Sequence, residues 1–202
     1  NTRHEQVAAH AADGYARATN KASVLLTHLS PGLTNAATGV ANAALDSIPM
    51  VVIAGDVPTH YYGKHPHQEV NLHADASQSE IYRPFVKRVW RVDSPHLFPE
   101  ILEKAFALAE SGRPGPVLVA VPMDVFSKEI DVALWKQVQL NARTVRKPSL
   151  DDETAEKIIR ALLAAKTPLL YAGGGILLAD AATELRELAE HLSLPVAHTL
   201  MG

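Results

Sequence analysis

One carboxylate stands out by its position. Glu5 opens the run Glu5-Gln6-Val7-Ala8-Ala9-His10-Ala11-Ala12, an alanine-rich helical stretch with little else on its face to neutralise a charge. Such a group needs a partner, and two kinds are available. Thr2 and Glu5 have the Thr-x-x-Glu spacing of a capping box, in which both side chains satisfy backbone N–H groups at a helix start. The other partner is a ligand with which Glu5 shares a proton. A second candidate is His28, at the end of the apolar run Val24-Leu25-Leu26-Thr27. Imidazole titrates near neutrality and can take or give a proton there, although a hydrogen-bonded structural histidine has the same signature. A third group lies between Asp56 and Pro84, where Tyr61, Tyr62, His60, His65, His67 and His73 crowd a connection too long to be routine. Pro66 stiffens the His65–His67 pair and no carboxylate spacing supports it, so no metal site is expected.

These residues sit on alternating helix-like and strand-like segments, the pattern of a parallel sheet covered by helices, so the fold class expected is α/β. Helical spacing predicts helices over residues 3–19, 33–45 and 95–110. The last opens at Ser94-Pro95 and closes at Gly112. Apolar runs predict strands over 23–28, 50–54 and 116–121. Residues 29–35, with Ser30-Pro31-Gly32, read as a turn at the carboxyl end of a strand, where open α/β sheets bind ligands. Periodicity weakens over 123–148, which reads as a linker. A second α/β unit follows, with helices to Ala165 and over 179–192, strands over 168–172 and 194–199, and a tight turn at Gly173-Gly174-Gly175. Leu178 breaks the last position of a Gly-x-Gly-x-x-Gly dinucleotide motif there.

Five motifs in register carry a family resemblance: Arg3-His4-Glu5-Gln6 with Ala11-Ala12-Asp13-Gly14-Tyr15-Ala16-Arg17; Ser30-Pro31-Gly32-Leu33-Thr34-Asn35; Asp46-Ser47-Ile48-Pro49; Gln68-Glu69; and Ser111-Gly112-Arg113-Pro114-Gly115-Pro116-Val117. In this order they resemble the pyrimidine-binding domain of thiamine-diphosphate-dependent enzymes of the acetolactate synthase and benzoylformate decarboxylase type. The resemblance implies a pyrimidine-binding domain at 1–122 without its first strand and helix, a linker at 123–148 and part of a central domain at 149–202. The chain then reads as an internal fragment.

The resemblance also assigns roles. Glu5 matches the glutamate that hydrogen-bonds the aminopyrimidine of the cofactor and is expected in an apolar pocket that raises its pKa. His28 falls where benzoylformate-decarboxylase-like enzymes carry an active-site histidine. Pro31, Gly32 and Asn35 are expected beside the cofactor. His67 and Gln68 are expected to line the substrate, with His67 where the synthase pattern has Phe. The implied cofactors are thiamine diphosphate and Mg2+, the metal being held by a domain beyond this chain, since the family's Gly-Asp-Gly motif followed by Asn does not occur here. FAD or ADP in the central domain has no residue here to support it. The implied reaction is cleavage or ligation of a 2-oxo acid, in a homo-oligomer with the site at the subunit interface. The rival readings are a nucleotide-binding or regulatory module without catalysis, supported by the triple glycine alone, and a catalytically silent paralogue, against which Glu5 argues.

Composition narrows the classes further. Of 202 residues 47% are hydrophobic, ample for a core, and the formal net charge is −3. That charge gives no general attraction for nucleic acid or anionic membrane. The absence of cysteine rules out disulfides and thiolate chemistry. No apolar run approaches the ~20 residues a membrane span requires, and a cytoplasmic protein is the default expectation.

Overall fold

The computed structural model describes residues 1–64, 68–70, 78–137 and 149–202. It divides into two compact units, Asn1–Val145 and Arg146–Gly202. In the first, helix α1 (Glu5–Thr19), strand β1 (Ser23–Thr27), helix α2 (Leu29–Leu45), strand β2 (Met50–Asp56), strand β3 (Val89–Arg91), helix α3 (Phe98–Glu110) and strand β4 (Pro116–Pro122) follow one another, and short helices α4 (Met123–Phe126) and α5 (Val132–Gln137) lie in the segment expected as a linker. The four strands form one sheet in the order β1-β2-β4-β3, all parallel. A parallel sheet flanked by helices is the fold class the alternating pattern implied.

Burial follows strand position. All of β4 is buried, as a central parallel strand with both faces covered requires. Val51, Val117, Val119 and Val121 meet Ala105 and Ala109 of α3 in one apolar cluster. Strand β1 alternates instead: Ser23, Leu25 and Thr27 are buried, whereas Val24 and Leu26 are exposed. β3 escapes the periodicity argument because three residues are too short to show a period. Its Val89-Trp90-Arg91 is a strand through pairing with Leu118, Val119 and Ala120 of β4.

The contact between α1 and α2 is a ladder one helical turn per rung. Glu5, Ala9, Asp13 and Arg17 on α1 face Asn35, Gly39, Asn42 and Asp46, on or just after α2. Spacings of three and four residues put each set on a single helix face. The Asn35 amide donates to Glu5 at 2.9 Å, Asn42 donates to Asp13 at 3.1 Å, and Arg17 bridges Asp13 at 3.0 Å and Asp46 at 2.6 Å. At the remaining rung a Cβ added to Gly39 would stand 2.6 Å from the Cβ of Ala9, so only glycine lets the backbones come this close. The Asp13-Gly14-Tyr15-Ala16-Arg17 and Asp46 motifs are thus helix-packing chemistry.

Two further motifs secure the amino ends of the strands. Arg113 donates to the Ser47 hydroxyl at 2.7 Å and to the Leu45 carbonyl at 3.2 Å. That joins the turn before β4 to the turn before β2. Gly112 there has φ +57, a left-handed turn that favours glycine. The Lys87 ammonium caps the end of α3 by donating to the Leu108 and Ser111 carbonyls. All of this lies opposite the carboxyl ends of the strands, where a ligand is expected.

The second unit holds α6 (Asp152–Ala164), β5 (Leu170–Ala172), α7 (Gly175–Leu178), α8 (Ala182–Leu192) and β6 (Val196–His198), with β5 and β6 parallel. Asp151 caps α6 by accepting from the Thr154 N–H at 2.8 Å. The triple glycine, read as a tight turn, runs into α7 at Gly175.

Candidate functional site

At the start of α1 the cap differs from the expected box. His4 is the N-cap, its Nδ1 accepting from the Gln6 N–H at 3.2 Å, while the Thr2 hydroxyl donates to the His4 carbonyl. With His4 in that role, the Glu5 carboxylate is turned toward α2, where Asn35 holds it. The expected upward pKa shift is not found in this chain. Glu5 is well solvated, and the hydrogen bond from Asn35 holds its carboxyl below the usual carboxylate value. A donor to the charged form outweighs the slight loss of solvent.

His28 is the next element of the site and, as expected, ends a strand. It is the N-cap of α2, exposed, with no capping bond from its side chain. Residues 29–35 are not a turn, as the Ser-Pro-Gly composition suggested, but the first two turns of α2. The chain reverses from β1 into the helix at a single residue, Leu29, whose φ is +46. A left-handed non-glycine residue carries about 1–2 kcal/mol of strain, and Leu29 is held in place by burial. Pro31 is tolerated in the first turn because its missing N–H would have no intrahelical acceptor there. Pro31 is exposed, Gly32 buried with its N–H donating to the His28 carbonyl at 2.9 Å, and Asn35 lies in the second turn, facing α1.

Glu5 and His28 line one cleft of about 740 Å³, together with Arg3, Ala8, Ala12, Tyr15, Val24 and Leu26. They are near enough for the imidazole to lower the carboxyl pKa further. Of the substrate-lining pair, Gln68 is exposed in a left-handed conformation, φ 63. His67 lies outside the described residues, as do His65 and His73. Glu69 accepts from the Gly63 N–H at 2.9 Å and Val70 donates to the Ser30 hydroxyl at 3.0 Å, so this short segment is fastened on both sides.

Sequence reasoning did not find the polar groups beneath that segment. Ser30, Asp56 and Gln78 are buried at 0%, 3% and 2% exposure. Gln78 lay unremarked in a polar run, and its only available signal was an amide followed four residues later by an aromatic, Tyr82. The Tyr82 hydroxyl donates to the Leu33 carbonyl at 2.6 Å, and burial pushes its pKa well above the usual value. Beside β4, Thr59 donates to Asp124 from its N–H at 3.0 Å and its hydroxyl at 2.6 Å, and this keeps the Asp124 carboxyl below its ordinary value.

Residues 1–78 match a family model described as the thiamine pyrophosphate enzyme N-terminal TPP binding domain, and residues 155–202 match its central domain. The chain is 42% identical over 207 residues to the probable acetolactate synthase large subunit of Methanococcus aeolicus, covering 100% of this chain and 33% of that protein. It is 40% identical over 201 residues to the acetolactate synthase isozyme 3 large subunit of Escherichia coli, covering 99% and 34%. To the acetolactate synthase large subunit of Corynebacterium glutamicum it is 41% identical over 201 residues, covering 99% and 31%. The chain therefore spans about a third of the length of the curated relatives it matches.

Proposed function

We propose that this chain, which belongs to the thiamine pyrophosphate enzyme family, supplies the aminopyrimidine-side half of a site for ligating or cleaving 2-oxo acids. The observation that carries the proposal is Glu5, held by Asn35 in the cleft it shares with His28. A carboxylate oriented by an amide at the mouth of an open cleft fits a ring nitrogen that needs a proton partner. Ala8, Ala12, Val24 and Leu26 give that cleft an apolar lining. When bound, thiamine diphosphate supplies an electron sink for breaking or making the bond next to the substrate carbonyl. Diphosphate and Mg2+ are assigned to a part of the full-length protein beyond this chain.

In this reading Glu5 holds or releases a proton at its carboxylate oxygen, and Asn35 keeps that oxygen in place. Pro31 and Gly32, in the first turn of α2, are assigned to the cofactor side from the sequence, where they would border the ring. His28 gives or takes a proton on the substrate side, where a group titrating near neutrality is effective. Gln68 and His67 are assigned to the substrate wall from the sequence. The relatives' name supports ligation as the leading form of the reaction. His28, which the resemblance places where benzoylformate-decarboxylase-like enzymes carry an active-site histidine, supports an added proton-transfer role. We assign residues 1–122 to the pyrimidine domain and 149–202 to the start of the central domain, in a homo-oligomer whose second subunit completes the site.

Glu5→Gln in the full-length protein tests the assignment. Turnover should fall nearly to nothing while thiamine diphosphate still binds, because only the proton partner is removed. Turnover within a fewfold of wild type would overturn it.

A further inference from the structure

The carboxyl ends of β1, β2 and β3 are joined by a buried polar chain that the proposed reaction does not use. Ser30, in the first turn of α2, donates its hydroxyl to Gln78 Oε1 at 2.7 Å and accepts the Val70 N–H at 3.0 Å. Gln78 Nε2 donates to the Gly55 carbonyl at 2.8 Å and to Asp56 Oδ1 at 3.2 Å. Asp56 accepts the Val57 N–H through the same oxygen at 2.9 Å and the Arg91 Nε–H through Oδ2 at 3.1 Å. Arg91 in turn lies over the Tyr62 ring, 4.2 Å from its centre.

The bonding capacity of Ser30 and Gln78 is closely matched to these partners. The Ser30 hydroxyl has one proton, given to Gln78, and takes one from Val70. The amide of Gln78 spends its oxygen on Ser30 and its nitrogen on the end of β2. Since Ser30 and Gln78 are almost fully buried, a lost partner cannot be replaced by bulk water. Ser30 also lies two residues from His28 along the chain and, through Val70, two residues from Gln68. The same hydroxyl therefore touches the helix start that carries one side of the site and the segment that carries the other.

We infer that Ser30 and Gln78 are positioning residues that lock the Gln68–Val70 segment against the first turn of α2 and so set the spacing of the substrate wall from His28. This inference rests on the proposed function for the meaning of that wall. Neither side chain touches the reacting atoms. Their part is to remove the freedom of a segment fastened on its other side by the Gly63–Glu69 bond.

The experiment is amide hydrogen exchange on the full-length protein, read at Val70 and at core amides of β2 and α2, together with steady-state kinetics on a 2-oxo acid. Ser30→Ala leaves both Val70 N–H and Gln78 Oε1 without their partner. Exchange at Val70 should quicken about ten- to hundredfold, as loss of a buried partner implies, while core amides of β2 stay within experimental scatter. KM should rise more than kcat falls, the mark of weakened substrate binding at a loosened wall. Gln78→Met, of similar volume, should reproduce the effect. The double variant should be no worse than either single one, because the two act as a unit. Unchanged exchange at Val70, additive effects, or a rise spread equally over the β2 and α2 core would overturn the inference. Exchange is read without turnover, so its outcome is independent of the Glu5 test.

Discussion

Gly39→Ala probes whether the α1–α2 ladder sets the geometry of the proposed site. The added Cβ would lie 2.6 Å from the Ala9 Cβ and 3.2 Å from the Ala9 carbonyl carbon and the His10 nitrogen. Carbon atoms rest about 3.5–4.0 Å apart, so the helices must part by roughly 1 Å, and backbone on α1 cannot swing aside as a long side chain would. Overpacking of this kind costs about 1–3 kcal/mol. Better helix propensity of alanine over glycine returns about 1 kcal/mol, leaving a net loss of roughly 0–2 kcal/mol. The effect on the site is larger than the effect on stability. Asn35 and Glu5 lie one turn before Gly39 and Ala9, and a bond of 2.9 Å stretched by about 1 Å passes beyond hydrogen-bonding range. Turnover of the full-length protein should fall by up to about 10²-fold, the scale of a 1 Å misplacement, and the Glu5 carboxyl should titrate at higher pH. Adding Ala9→Gly removes the 2.6 Å contact but leaves the two backbone contacts at 3.2 Å, so it should restore turnover in part while lowering stability slightly. Wild-type turnover with an unmoved Glu5 titration would refute the reasoning.

Three other outcomes follow from the same geometry. Asn35→Ala removes the main cause of the depressed Glu5 pKa; a carboxyl depressed in the folded state adds stability above its unfolded pKa and loses it as pH falls through the folded value, so the variant should lose this contribution at neutral pH and depend less on pH in the acid range, with an upward shift in the carboxyl carbon-13 titration. Tyr82→Phe deletes the donor to the Leu33 carbonyl and should cost about 1 kcal/mol in urea unfolding; no change would mean that the carbonyl is satisfied by its helix alone. His28→Ala should slow turnover roughly 10²–10⁴-fold if the imidazole moves a proton and should shift the ratio of aldehyde to ligated product; an unchanged rate and ratio would make it a structural residue.

The sequence by itself determined what depends on neighbours along the chain. Apolar runs at β1, β2 and β4, helical spacing in α1 and α3, and their alternation specify a parallel sheet with helices on it. The placement of His28 at a strand end and of Glu5 at a helix start follows from the same local patterns. Whatever depends on partners distant in sequence was decided only by the tertiary structure. Asn35 meets Glu5 from thirty residues away, and Gln78 meets Ser30 from forty-eight. The three residues of β3 are a strand only through β4. The turn composition of Ser30-Pro31-Gly32 concealed a helix start, because the reversal it suggested is made by Leu29 alone in a left-handed conformation held by burial. The Glu5 pKa, expected upward from the sequence, is turned downward by its surroundings. A carboxyl is raised by lost solvent and lowered by a donor, and here the donor comes from another helix.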